Sequence, residues 1–241
     1  MGDPESALGK AVESLRLCFA LAHPIVAIAT LLWLPLHLVT NGVFGTHWAL
    51  MSLASFLELV IGSLVTASIL CSVSQYRQGS VPGLVESLRG GLDSWGGLVL
   101  TNMLAGIVIL AGFVALVLPG FYLLFLYALV APVVVFENTT GRAALTRSGR
   151  LTEGRKLNIA LAAIPLLVLI MAVGVLYVGL EVAGESLALP PLVWIAVTSL
   201  VDLGGSLLSV PITILMALFY WEAEASTLSE EAQLFTSSLQ G

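Results

Sequence analysis

The chain has 241 residues, 58% of them hydrophobic and 10% charged, where soluble domains average about 45–50% apolar and about 25% charged. With 9 Lys and Arg and 15 Asp and Glu, and a mean hydropathy of +1.02, it cannot present a polar surface to water, which excludes an ordinary soluble enzyme. A net charge of −6 with no basic stripe excludes a nucleic-acid binder, which needs clustered cations to displace counterions from phosphates.

Lipid is therefore the expected solvent. The opening Met1-Gly2-Asp3-Pro4-Glu5-Ser6 fits the myristoylation pattern only formally, and its acids replace the basic start of a secretory signal. Pro4 to Phe19 instead reads as a short amphipathic helix with Asp3 as cap and Leu8, Val12, Leu15 and Phe19 as its apolar stripe. Spanning helices need about 20 apolar residues, and six stretches approach that length: 17–40, 48–74, 95–118, 120–136, 157–180 and 191–220. Pro119-Gly120 is the expected hairpin between the third and fourth. Residues 84–95, with Leu84, Leu88, Leu92 and Trp95 in register, and 140–153 read as two further interfacial helices; Gly90-Gly91 weakens the first of them.

Val12-Glu13-Ser14-Leu15-Arg16 recurs as Val85-Glu86-Ser87-Leu88-Arg89, and Ala144-Leu145-Thr146-Arg147 is a degenerate third copy. Each copy precedes a pair of apolar runs. The expected fold is accordingly an all-α integral membrane protein of six transmembrane helices, three repeats of an interfacial elbow helix plus a transmembrane hairpin. With six spans every Lys and Arg falls on one side, which the positive-inside rule places in the cytoplasm together with both termini, for a multi-pass protein of the inner (plasma) membrane. Trp48, Trp95, Trp194, Trp221, Tyr76, Tyr177 and Tyr220 are expected at span ends. Residues 222–241 form an acidic cytoplasmic tail, where Thr227 and Glu230 suit a capping box and Leu228, Ala232, Phe235 and Leu239 an apolar stripe.

The run from Gly141 through Leu145, Arg147, Ser148, Leu151 and Gly154 to Arg155, after Pro119-Gly120 and a span ending Ala131-Pro132 to Phe136-Glu137, together with the closing Phe219-Tyr220-Trp221-Glu222, resembles the glycerophosphodiester phosphodiesterase membrane-domain family and related uncharacterised bacterial six-span proteins. The resemblance covers most of the chain from about Ser68 onward. It implies a membrane domain without the catalytic barrel that some members carry: Glu137-Asn138-Thr139 occurs, but none of His23, His37 or His47 precedes an Arg. Glu137 to Thr140 reads as the start of the next helix, and no phosphodiesterase activity is expected.

Glu58 and Asp202 are the acids well inside expected spans, where an ionised group costs roughly 2.5–3.5 kcal/mol on insertion scales. Each lies about 15 Å from the nearer span end at 1.5 Å per residue, so both can occupy one level near the midplane, where at least one is expected to carry its proton. They read either as a proton- or cation-coupled site, which His37 could join, or as interhelical glue. Ser63, Ala67 and Cys71, and separately Gly204, Gly205 and Ser209, are expected as small-residue packing faces. Arg142, Arg147, Arg150, Arg155 and Lys156 form one basic cluster suited to anionic lipid headgroups. Cys18 and Cys71 read as buried hydrophobes, three scattered histidines make no metal site, and no cofactor is implied. The function expected is a non-enzymatic accessory or scaffold component of a membrane complex, bound to a membrane-protein partner or to itself. The alternative is a lipid or small-solute permease coupled to protons through Glu58 and Asp202.

Overall fold

The computed structural model describes residues 4–44, 48–187 and 190–238, and these are all-helical. The helices are α1 (Pro4–Ala20), α2 (Ala22–Val39), α3 (Trp48–Arg77), α4 (Leu84–Ala115), α5 (Val117–Leu126), α6 (Val130–Glu137), α7 (Gly141–Leu151), α8 (Lys156–Leu187), α9 (Pro191–Leu207) and α10 (Val210–Ser238), with a π turn, Thr40–Phe44, extending α2. Six segments among the described residues are long and apolar enough to cross a membrane: Ala22–Gly42, Ser52–Arg77, Leu84–Ala115, Val117–Glu137, Lys156–Gly179 and Pro191–Ser229.

Most differences from the expected boundaries trace to prolines. Pro24 has no N–H for the Ala20 carbonyl and its ring crowds that group, so the chain bends at Leu21 and the first span starts at Ala22, not at 17. Pro132 acts likewise on Ala128, splitting the fourth span into α5 and α6, and Pro211 on Leu207, placing a joint at Leu208-Ser209 between α9 and α10. Pro119 instead sits in the first turn of α5, where a missing N–H costs nothing. The expected hairpin therefore moves to Leu116, one extended residue between α4 and α5. Gly112 and Gly120 then let the two helices touch, for a Cβ on Gly112 would lie 3.2 Å from the Gly120 Cα.

Residues 84–95 do not form a separate helix, because α4 runs unbroken from Leu84 to Ala115. The glycine expected to weaken it is a packing device: a Cβ on Gly91 would lie 2.9 Å from the Ser68 backbone nitrogen on α3. The buried stripe of α4 is Ser87, Gly91, Ser94, Leu98, Thr101, Ala105 and Gly112, all small but for Leu98, while Leu92, Leu100, Ile107, Leu110 and Val114 point outward. Small-inside, large-outside is the arrangement that lipid permits, since apolar side chains gain nothing by leaving it. α1 follows the same pattern: Leu8, Val12 and Phe19 of its expected stripe are exposed, and Ala7, Ala11 and Ser14 pack inward against α8 and α10. In both copies of the repeated pentapeptide the serine, Ser14 or Ser87, is fully buried and the valine exposed.

Two apolar clusters result. One joins α4, α6, α7, α8 and α10; the other joins Leu21, Ile25 and Ile28 to Val65, Ile69 and Val73 of α3 and to Val210 and Ile214 of α10. The tail does not break away: α10 continues through 222 to Ser238, and the Thr227 hydroxyl donates back to the Ala223 carbonyl at 2.6 Å instead of capping a new helix. Leu228 is exposed, whereas the side chains of Glu230, Ala232, Phe235 and Leu239 lie outside the described residues.

The break before Pro132 leaves the Leu126 carbonyl without a helical donor, because the Val130 amide turns to Tyr127 instead. Ser148, in α7, donates to it at 2.9 Å, and Thr152, just after α7, shares its hydroxyl proton between it at 3.3 Å and the Gly149 carbonyl at 3.1 Å. Replacing both hydroxyls (Ser148→Ala with Thr152→Val) should destabilise the protein by about 1–3 kcal/mol, the cost of a buried carbonyl left without a partner. Thermal unfolding in mild detergent reads the loss, and either single variant should cost less than half of the double.

Candidate functional site

Four elements, α2, α3, α8 and α9, border a cavity of 660 Å³ whose lining includes Glu58, Asp202 and His37. The three candidates expected from the sequence thus share one space. Their supports are residues that sequence reasoning passed over. The π turn carries Asn41 to the end of α2, and its amide donates to the Asp202 carboxylate at 2.8 Å and to the Ser199 hydroxyl at 3.2 Å. A π turn inserts an extra residue per turn and re-aims the side chains on it, which is why such turns gather at functional sites. His37, one turn earlier and buried, lies 3.1 Å from the Ser206 hydroxyl through Nε2 and stacks on Trp33 at 5.4 Å with an interplanar angle of 5°. The Thr40 hydroxyl is turned away to the His37 carbonyl.

Asp202 is therefore held, and Glu58 is not: half-buried on the cavity wall, Glu58 has no hydrogen-bond or ion-pair partner among the described residues. Among the described residues lysine and arginine are absent from the lining, which Trp33, Tyr177, Ile170 and Val173 help to complete. The Leu208-Ser209 joint between α9 and α10 also opens on the cavity. Gly204 and Gly205, expected as a packing face, have nothing within 4 Å of where a Cβ would stand, and Gly205 lines the cavity instead. The other expected face does pack: Ser63 accepts from the Asn102 amide at 3.1 Å and Cys71 lies against Gly90.

Polar residues gather a second time where α1, the C-terminal end of α3, α6, α7, the start of α8 and α10 meet. Glu137 accepts from Arg147 Nε at 2.9 and 3.1 Å and from the Tyr220 hydroxyl at 3.1 Å. It thus closes α6 with a three-residue knot where the sequence suggested only the start of a helix. Phe136 stacks on Trp221 at 5.1 Å, Arg77 lies over the same indole at 4.2 Å from its centroid, and Lys10 pairs with Glu222 at 2.9 Å. This divides the expected basic cluster. Arg147 is taken by Glu137, Arg155 donates to Ser226, and Lys156 reaches the Tyr122 hydroxyl at 2.9 Å, leaving Arg142 and Arg150 exposed and without partners among the described residues. Trp95 departs from its expected place as well: its indole donates to the Val60 carbonyl at 2.7 Å, within the bundle and well away from a helix end. The Trp48 side chain lies outside the described residues.

Glu137, Arg147 and Tyr220 belong to the segments that carry the resemblance described above. No protein family, curated protein or solved structure matches the chain. Among the described residues no group of three or more His, Cys, Asp or Glu could hold a metal ion.

The unequal support of the two acids has a measurable consequence. Asn41→Ala strips the amide from both Asp202 and Ser199 and should lower stability by about 1–3 kcal/mol. Glu58→Gln, at a side chain with no partner to lose, should leave stability in detergent within about 0.5 kcal/mol of the parent. Thermal unfolding of the two variants beside the parent reads both.

Proposed function

We propose that the chain is a multi-pass membrane permease that takes a small solute into the Glu58–Asp202 cavity, with proton movement through those carboxylates coupled to transport. The observation that carries this reading is the cavity itself: a space of 660 Å³, within the range of ligand pockets, with two acids from separate spans on its wall. Intramembrane acids that serve only as glue are expected to be consumed by hydrogen bonds, and Glu58 is not. Support also comes from the broken last span, since transporter sites are commonly built beside discontinuous helices, and here the joint at Leu208-Ser209 borders the same space. Those features move the reading from the accessory or scaffold role, which the sequence favours, to its alternative.

In this reading the end that carries the Glu137–Arg147–Tyr220 knot faces the cytoplasm, as the distribution of Lys and Arg suggests, and the cavity opens toward the other side of the inner membrane. Arg142 and Arg150, exposed on α7, engage anionic headgroups at about 1 kcal/mol each before screening. The three-unit repeat survives as ancestry for α1 and α7, with the second elbow fused into α4. The likeness to the membrane domains named above is part of the same proposal and adds no phosphodiesterase chemistry.

Reconstitution tests this directly. Proteoliposomes with an imposed pH gradient should accumulate a member of a broad solute panel, and Glu58→Gln and Asp202→Asn should each reduce the initial rate at least tenfold while the protein still elutes as a folded species. Equal rates for the parent, both variants and empty liposomes across the panel would return the chain to the accessory reading.

A further inference from the structure

We propose that the solute of this cavity is an organic cation, an ammonium compound bearing carbon substituents; the step rests on the permease reading above. Charge gives the sign. Among the described residues two carboxylates face the space and no lysine or arginine does, so a solute that brings a positive charge relieves a desolvated acid that a neutral solute leaves exposed and an anion makes worse. The acids are not equivalent in this. Asp202 already accepts from Asn41 at 2.8 Å, whereas Glu58 has its full accepting capacity to offer.

Size and wall chemistry separate an organic cation from a bare ion. A metal ion needs several oxygen ligands converging at about 2.0–2.6 Å, and such a convergence of acidic, histidine or cysteine groups does not occur among the described residues. A space of 660 Å³ is also far larger than an ion fills. Its remaining walls include aromatic and aliphatic groups, Trp33 and Tyr177 with Ile170 and Val173, and such surfaces bind alkylated ammonium groups through the ring quadrupole and through apolar contact. The indole of Trp33 is held for this task. His37 stacks on one face, and the ring edge runs past Gly62 of α3, where a Cβ would stand 3.0 Å from the Trp33 ring. A bulky side chain at position 62 therefore displaces the indole while leaving both acids in place.

The test is equilibrium binding to the purified full chain in detergent, with radiolabelled choline as probe and tetraethylammonium and phenethylammonium as competitors. The controls are sodium, potassium and 3,3-dimethylbutan-1-ol, the uncharged isostere of choline. The ammonium compounds should compete with one another, and the isostere should bind at least tenfold more weakly. Glu58→Gln should weaken choline at least tenfold, and Gly62→Leu should weaken it with all charges kept; if Gly62→Leu does not fold, the Glu58→Gln result decides alone. Binding of the isostere as tight as that of choline, displacement of choline by millimolar sodium or potassium, or Glu58-dependent flux of a neutral or anionic solute with no ammonium binding would each overturn the assignment while the permease reading stands. Absence of binding together with absence of flux for every solute would overturn both.

Discussion

Inside hydrocarbon a polar group with no partner costs several kcal/mol, and that constraint shapes most of this protein, the buried Asn158 Oδ1 being an exception among the described residues. The Leu126 carbonyl, freed by the break before Pro132, draws Ser148 and Thr152 onto it and so fixes α7 against α5. Elsewhere the hydroxyls are turned back onto their own helices: Ser63 to Leu59, Ser68 to Leu64, Thr101 to Gly97 and Thr198 to Trp194. Satisfied in this way, small polar residues can lie in the interhelical seams, where their size lets backbones approach. On α4 the large apolar residues are left for the outer face, and the close contact of α3 with α4 through Ser68 and Gly91 follows.

The same constraint separates the two ends of the bundle. Around Tyr220 and Trp221 the charges that α10 meets are matched, Glu137 with Arg147, Lys10 with Glu222 and Arg77 with the indole face, so that half of the last span is fastened to α1, α3, α6 and α8. Beyond the Leu208-Ser209 joint, α9 packs on α2 and the π turn around the cavity, and there Glu58 is left without a partner among the described residues. In the permease reading, the proline-made joint between the fastened half and the half bordering the acid-lined space is where the cavity side would move while the other end holds.

Hydropathy and the counting of apolar runs located the segments long and apolar enough to cross a membrane, because length and composition alone set them. Glu58, Asp202 and His37 were legible for a related reason, as polar groups set in apolar sequence always declare their cost. What the sequence hid was direction and partnership. The stripe Leu8, Val12 and Phe19 is amphipathic by spacing in either solvent, and only packing tells which face is inside. Gly91 is a weak helix former in isolation and a contact surface in the bundle. Glu137 and Arg147 stand ten residues apart on separate helices, and Asn41 meets Asp202 across 161 positions, distances over which no local pattern operates. Proline positions could have foretold the breaks at Leu21, at Tyr127 to Leu129 and at Leu208-Ser209, since each lies shortly before a proline.

The Glu58–Asp202 cavity, in the permease reading, is open to water, while the outer face of α4 gives its large apolar side chains to lipid. Collision accessibility of nitroxide labels in liposomes tests it most directly, with one label at position 206 on the cavity wall and another at position 110 on the outer face of α4. The account predicts that a water-soluble nickel complex relaxes the label at 206 and that oxygen, concentrated in the bilayer, dominates at 110. Oxygen-dominated relaxation at both positions, with the nickel complex silent at 206, would contradict it.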